Sequence, residues 1–555
     1  MRTATWLLVS ALLAGVSTAG ELTLTPSDLY AGFEARKVLL DKEGARLALD
    51  GRVFQFGRER QGVVTTDPID LGPAEGVVGL SAVRRMRSVR IEVRAEVPEG
   101  AAIEVEARNG ANPLDTSAWS PWRRLDGLAA TLDGLAGRCL QVRMTLKATA
   151  ADKLPALRAL VLTPQVEAGT AWTGRLAVVE DKTQRIVRSP IEFHYERPDQ
   201  KQLAEFRKAA RLDAVVAGAK DDFERLVKLM DWVGSVDNVR GTRRERDGRA
   251  YAWNIEKVFE IGQDGKPHIH GHCMSYCEVM VTAATALGYV GARHFAICGF
   301  REASHEVPEV WVPSLGKWVF FDPSLTQFYF DKKNREPLSL IEMHAVVADT
   351  FLKDGEDMHW WCRRDNAEAQ ARVRVRRTAD GQKPIGCRTG PWHYGRPAPK
   401  DYDWGWYHGY LAAGFVQMTP RNDFHSRPEA NPRQFENYPG YAGYPNWVDA
   451  KTPPTRGGHN WFTRRRDFYW TLDQASLRLV EGDEGTLLVE LGQSMPFFKA
   501  YRLKIDGVEA ASPRSPFAWK LKPGRNRIEV APEDEFGKIG LPSSVTVEYT
   551  KEMRP

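Results

Sequence analysis

Cys273, His305 and Asp322 are the residues of this chain whose types and spacing could do covalent chemistry. The histidine follows the cysteine by 32 positions and the aspartate follows the histidine by 17. In such a trio a thiolate attacks a carbonyl, an imidazole moves the proton, and a carboxylate fixes the tautomer and orientation of the imidazole. The set carries acyl transfer and calls for no cofactor. The elements that must position it can be read from periodicity. After Gly271-His272-Cys273 the apolar residues Met274, Cys277, Met280, Val281, Ala284 and Leu287 recur at threes and fours. That spacing predicts a helix with one buried face, ended by Gly288. Cys273 then stands at the helix N-terminus, where the macrodipole and free backbone N–H groups favour a thiolate. Three β-like runs follow, at 294–297, 309–312 and 318–321, with His305 just before the second and Asp322-Pro323 closing the third.

Plainer readings stand beside these. A cysteine is more often a small buried hydrophobe, and that reading suits Cys139, Cys277 and Cys298. Six cysteines in 555 residues are no disulfide framework; Cys362 and Cys387, in polar and irregular surroundings, are the candidate bridge. His268, His270 and His272 alternate as on a strand and could converge on a metal. A structural zinc site wants four ligands, however, and no suitably spaced cysteine pair accompanies them. The run reads instead as shaping the approach to Cys273.

The order and spacing of Gly271-His272-Cys273, Leu287-Gly288 with Arg293, His305 through Val310, and Trp318 through Asp322-Pro323 resemble the transglutaminase-like superfamily, a relative of the papain fold. Arg293 comes one residue late for that pattern. Val307 stands where an aromatic is usual, and Pro308 follows it, unable to donate a strand hydrogen bond. The resemblance implies a Cys-His-Asp enzyme working through an acyl-enzyme, as amidase, peptidase or transglutaminase. Relatives place an aromatic or amide side chain upstream to help hold the oxyanion, which makes Trp253 the candidate here.

The rest of the chain frames this segment. Residues 1–19 have one early arginine, an apolar stretch and a small-x-small end, the pattern of a secretory signal. The expected protein is exported, periplasmic or extracellular, without membrane insertion. With 27% charged and 43% hydrophobic residues the composition is that of a globular protein. A net charge of +5 over 555 residues implies no nucleic-acid partner. Residues 36–165 alternate in β fashion between turn signals, which predicts a sandwich. Within it Trp119-Ser120-Pro121-Trp122 and Gly137 through Arg143 resemble discoidin-like and galactose-binding-like modules, which implies sugar binding; a spacer without ligand fits as well. Residues 166–198 read as a linker. Residues 199–350 read as the transglutaminase-like domain, with helices over 199–217, capped by Asp199, and 221–236. Residues 351–470 are aromatic-rich and without period: Trp404, Trp406 and His408 in this belt are candidate substrate contacts beside Cys273. Residues 471–549 read as an immunoglobulin-like sandwich. The expected fold class is therefore multidomain α+β, a helix-and-antiparallel-sheet core between two β-sandwiches. Three functions stay open: a cysteine-nucleophile enzyme on amide bonds, a glycan-directed lyase or hydrolase on the same scaffold, and a non-catalytic glycan-binding protein. The substrate is a protein, peptide or glycan, and the oligomeric state is unknown.

Overall fold

The structure is a computed structural model that describes residues 21–41, 44–47, 61–72, 78–79, 83–150, 153–168, 172–239, 255–298, 304–351, 385–398, 415–426, 444–449, 460–511 and 514–551. The expected signal segment, Trp253, Trp404, Trp406, His408 and Cys362 lie outside the described residues.

The fold class differs from the α+β expectation. Among the described residues strand outweighs helix by 46% to 16%, and the strands assemble into several sheets. The chain is mainly β and is not a helical transglutaminase-like core flanked by sandwiches. The physical reason lies in visibility. Helical periodicity is concentrated in a few long stretches and gives the stronger sequence signal. Many strands here are two to five residues long, too short for alternation to register.

The chain divides into two compact units, Met1–Pro190 with Trp470–Pro555, and Ile191–Tyr469. In the first, two six-stranded antiparallel sheets face each other. Val89, Ile91 and Val93 from one meet Val105, Ala107, Leu140, Val142 and Met144 from the other. The C-terminal strands form a second core around Leu477, Leu487, Val489, Leu491, Val530 and Val547. Residues 166–198 are not all connection: strand Arg175–Lys182 pairs antiparallel with strand Ser543–Thr550, Arg175 opposite Thr550.

In the second unit, helices α1 (Lys201–Ala209), α2 (Asp222–Ser235) and α3 (Cys273–Ala286) precede strands β1 (Ala292–Cys298), β2 (Ser304–Val312), β3 (Lys317–Phe320) and β4 (Gln327–Asp331). Helix α4 (Leu340–Phe351) follows, then β5 (Ile385–Thr389), β6 (Trp392–His393), β7 (Arg396–Pro397), β8 (Phe415–Met418), β9 (Pro445–Trp447) and β10 (Asn460–Phe462). Asp221 caps α2, accepting from Glu224 N at 2.8 Å. Asp199 does not cap α1: Gln200 holds the N-cap position, and Asp199 pairs with Arg197.

Helix α3 is buried from Met274 to Thr285 without a break, where the apolar spacing predicted one buried face. It packs against α1 and α2 as well as β1 and β2, and a helix enclosed on all sides is apolar all round. Two of its threonines bond within the helix: Thr282 Oγ1 donates to Glu278 Oε1 at 3.2 Å, and Thr285 Oγ1 to Val281 O at 2.9 Å. The sheet runs β3-β2-β1-β8-β9-β10. Its last three strands come from the segment read as irregular. Phe468 is fully buried and packs on Phe295 and Phe462, so much of the aromatic belt that is described is core.

Candidate active site

The helix that carries Cys273 starts where the backbone demands it. Gly271 has φ of +120°, and a Cβ there would meet Ser275 Oγ, so the position takes glycine. His272 is the N-cap, extended and without a side-chain capping bond. The first turn therefore presents N–H groups that the helix cannot satisfy internally. They favour a thiolate and could receive an oxyanion. Cys273 is partly exposed, and its sulfur lies 3.7 Å from His272 Nδ1.

His305 enters from β2, opposite Ile297 of β1, and Asp322 from the turn after β3. His305 Nε2 is 3.1 Å from Asp322 Oδ2, and both residues are buried. The aspartate is fixed on every side. Its backbone exchanges two hydrogen bonds with Gln327, and its Oδ1 accepts from Ser324 N at 3.0 Å and Leu325 N at 3.3 Å. With Nε2 engaged by Asp322, Nδ1 is the ring atom left to serve the sulfur. His305 hydrogen-bonds Asp322 and lies near enough to Cys273 for each charge to act on the other. The three residues singled out in the sequence are thus brought together.

Electrostatics set their protonation. Burial opposes the Cys273 thiolate, but the His305 charge and the hydrogen bonds from His272 and His305 outweigh it, and the thiol falls to about 6. Burial likewise opposes the His305 imidazolium, and the charges of Asp322 and Cys273 outweigh it, raising the ring to about 10. The pair rests as thiolate and imidazolium. Cys277, one turn along α3, shows the contrast: burial first and the Glu306 charge second push its thiol well above the ordinary range. Burial also raises Cys139.

Three neighbours, Glu306, Thr326 and Arg388, were not singled out from the sequence. Glu306, next to His305, is buried, pairs with His294 of β1 and opposes the Cys273 thiolate. A glutamate in an alternating strand reads as solvent-facing, so nothing marked it. Thr326, at φ of +50° and fully buried, ties the loop after Asp322 to the β6–β7 hairpin: its Oγ1 donates to Trp392 O at 2.8 Å, and its carbonyl accepts from Gly390 N at 2.7 Å. Arg388 braces the same loop through a two-armed ion pair with Asp231 of α2. Tyr394, in the hairpin, stacks edge-on against Tyr276 of α3 with centroids 5.4 Å apart. Only adjacency in space reveals these roles.

The alternating histidines take separate partners: His268 Nε2 lies 3.3 Å from Asp264, His270 Nε2 3.0 Å from Glu260, and His272 beside Cys273. Among the described residues no group of three or more His, Cys, Asp or Glu could hold a metal ion, and no helix is long and apolar enough to cross a membrane.

No family model matches this chain, and no curated protein matches it. Among solved structures, a protein from Cytophaga hutchinsonii assigned as a cysteine protease is similar at 12% identity and a TM-score of 0.16, over 43% of this chain and 77% of that one. A GH26-CBM35 β-(1,4)-mannanase from Podospora anserina is similar at 12% identity and a TM-score of 0.15, over 42% of this chain and 40% of that one. Likeness at this level bears on neither fold nor chemistry.

Proposed function

We propose that this chain is an exported cysteine-nucleophile enzyme acting on amide bonds of a protein or peptide. The observation that supports the reading is one buried imidazole, His305, held 3.1 Å from the Asp322 carboxylate and near enough to Cys273 for the two charges to act on each other. In this mechanism the Cys273 thiolate attacks the carbonyl carbon and the carbonyl electron pair moves to oxygen, near the free N–H groups of the first turn of α3. Collapse expels the amine, which leaves with the proton of the His305 imidazolium. An acyl-thioester remains. Neutral His305 then takes a proton from water, or from a second amine, as that nucleophile attacks the thioester, and the thiolate departs. Asp322 keeps Nε2 of the ring turned toward itself throughout.

The test is turnover of a fluorogenic peptide-amide library by the wild type and by Cys273→Ala. Amine release that is lost in the variant, together with a trapped acyl adduct on Cys273 by mass spectrometry, is the expected result. Release that survives in Cys273→Ala sinks the reading.

A further inference from the structure

A second imidazole stands beside the nucleophile. His272 Nδ1 lies 3.7 Å from Cys273 Sγ, within hydrogen-bond reach of an atom as large as sulfur. A thiolate only accepts, so a ring nitrogen in that place serves as the donor. The backbone that roots this ring is pinned on both sides. Upstream, strand Pro267–Ile269 pairs in parallel with Asp237–Asn238, and Asn238 Nδ2 donates to Gly271 O at 3.0 Å. Downstream, the His272 carbonyl accepts from Ser275 N at 2.9 Å and from Tyr276 N at 3.3 Å.

His272 holds the N-cap position, where Ser, Thr, Asp or Asn is usual because a short polar side chain accepts from an N–H of the first turn. His272 makes no such bond. Its ring is turned to the sulfur of the next residue, so helix stability does not account for a histidine here. His305 is buried, whereas His272 is partly exposed. The other charges that act on the sulfur come from the sheet. His305 of β2 favours the thiolate. Glu306 of β2, paired with His294 of β1, opposes it, and Asp322 acts through its hold on His305.

A hydrogen bond to the sulfur acts unequally on the two halves of the acyl-enzyme cycle proposed above, on which this inference rests. It is strong while the sulfur is anionic and is lost when the sulfur becomes the neutral atom of a thioester. It therefore steadies the resting thiolate, which does not hasten attack, and steadies the same charge as it returns in the second half. There water attacks the thioester carbon and gives a proton to His305. The C–S bond then breaks, and its electron pair stays on the sulfur beside His272 Nδ1–H. We propose that His272 is a further catalytic residue, the hydrogen-bond donor that receives the thiolate as it leaves and so sets the rate of acyl-enzyme breakdown.

The experiment follows nitrophenolate release from p-nitrophenyl acetate by the full chain in stopped flow, at a pH where the thiol is ionised in every variant. Intact mass spectrometry reads the acetyl group on Cys273. His272→Ser removes the ring and supplies an ordinary cap, so the melting temperature holds or rises. The burst, which reads acylation, is retained, while steady-state release slows about tenfold and acetyl-Cys273 accumulates. KM falls with kcat, and kcat/KM stays close to the wild-type value. Separately from turnover, alkylation of Cys273 by iodoacetamide rises at a higher pH than the wild-type value of about 6, because the thiolate has lost a donor. His272→Ala gives the same changes, so the result does not hang on the folding of one variant. Steady-state release at the wild-type rate in both variants, an unshifted alkylation profile, or a kcat/KM that falls as far as kcat without acetyl-Cys273 overturns the proposal alone. Release by Cys273→Ala at the wild-type rate overturns the acyl-enzyme reading, and the role of His272 with it.

Discussion

Cys273 is pulled in two directions, and its chemistry depends on which wins. Burial alone would make it as inert as Cys277; the imidazole beside it reverses the outcome. The pH dependence follows with its sign. The thiolate persists above about 6 and the imidazolium below about 10, so the reactive ion pair is populated between those limits. Alkylation of Cys273 by limiting iodoacetamide should therefore rise through pH 6 rather than near 9, with Cys277 and Cys139 unmodified in the folded protein; peptide mapping by mass spectrometry reads this out. A Cys277 adduct appearing first would sink the assignment. His305→Ala should lower kcat/KM by about 10^3-fold. Asp322→Asn, which keeps an acceptor for Ser324 N, should cost less and shift the alkaline limb below 10, because the largest charge supporting the imidazolium is gone. Residue types in order were legible in the sequence because each stands at an element end. Glu306, Thr326 and Arg388 were not, because their roles depend on burial and on partners up to 157 positions away.

The sheet that presents His305 is locked from behind by one buried cluster. Arg293 of β1 lies against Glu309 of β2 at 2.6 Å, stacks 3.7 Å above Trp318 of β3 and donates to Phe468 O at 2.5 Å. Glu309 also accepts from Tyr469 OH at 2.9 Å and from Leu340 N, at the start of α4, at 2.6 Å. Removing one partner strands the other charge in the core. Arg293→Leu should cost about 3–5 kcal/mol, whereas loss of the α2 cap in Asp221→Ala should cost about 1 kcal/mol; urea unfolding compares the two. Equal, small losses would mean that water reaches Glu309. The long elements α2 and α3 were legible from their periodicity. Strands β6, β7, β9 and β10 were not: two or three residues rich in Trp, Pro and Asn show no alternation, and they form strands because neighbouring strands offer them edges.

At the scale of the molecule, one unit interrupts the other in sequence. The first unit leaves off at Pro190 and resumes at Trp470. Close to that break, Val187 N donates to Thr471 Oγ1 and Thr471 N to Val187 O, each at 3.1 Å. Ends this close can be joined by a short flexible link. A chain running from 21 to 187, a few Gly and Ser residues, then 471 to 551 should fold with a single cooperative melt and retain the near-ultraviolet signal of Trp119 and Trp519, both buried. A molten product without that signal would show that the first unit needs the segment it lacks. The sandwich runs of this unit were legible from their alternation; the pairing of Arg175–Lys182 with Ser543–Thr550 was not, since no local pattern announces a partner so distant in sequence.

That distant pairing has a consequence for how the protein is made. A ribosome releases the chain from its N-terminus, so strand Arg175–Lys182 emerges long before Ser543–Thr550, its partner. Meanwhile it offers an open edge, with Val178 and Val179 close to half exposed even when paired. The segment 191–469 is contiguous and can close first. The thiol-bearing unit thus has its whole sequence available while the other unit still lacks a partner strand, and it is during that interval that a holdase would protect the edge.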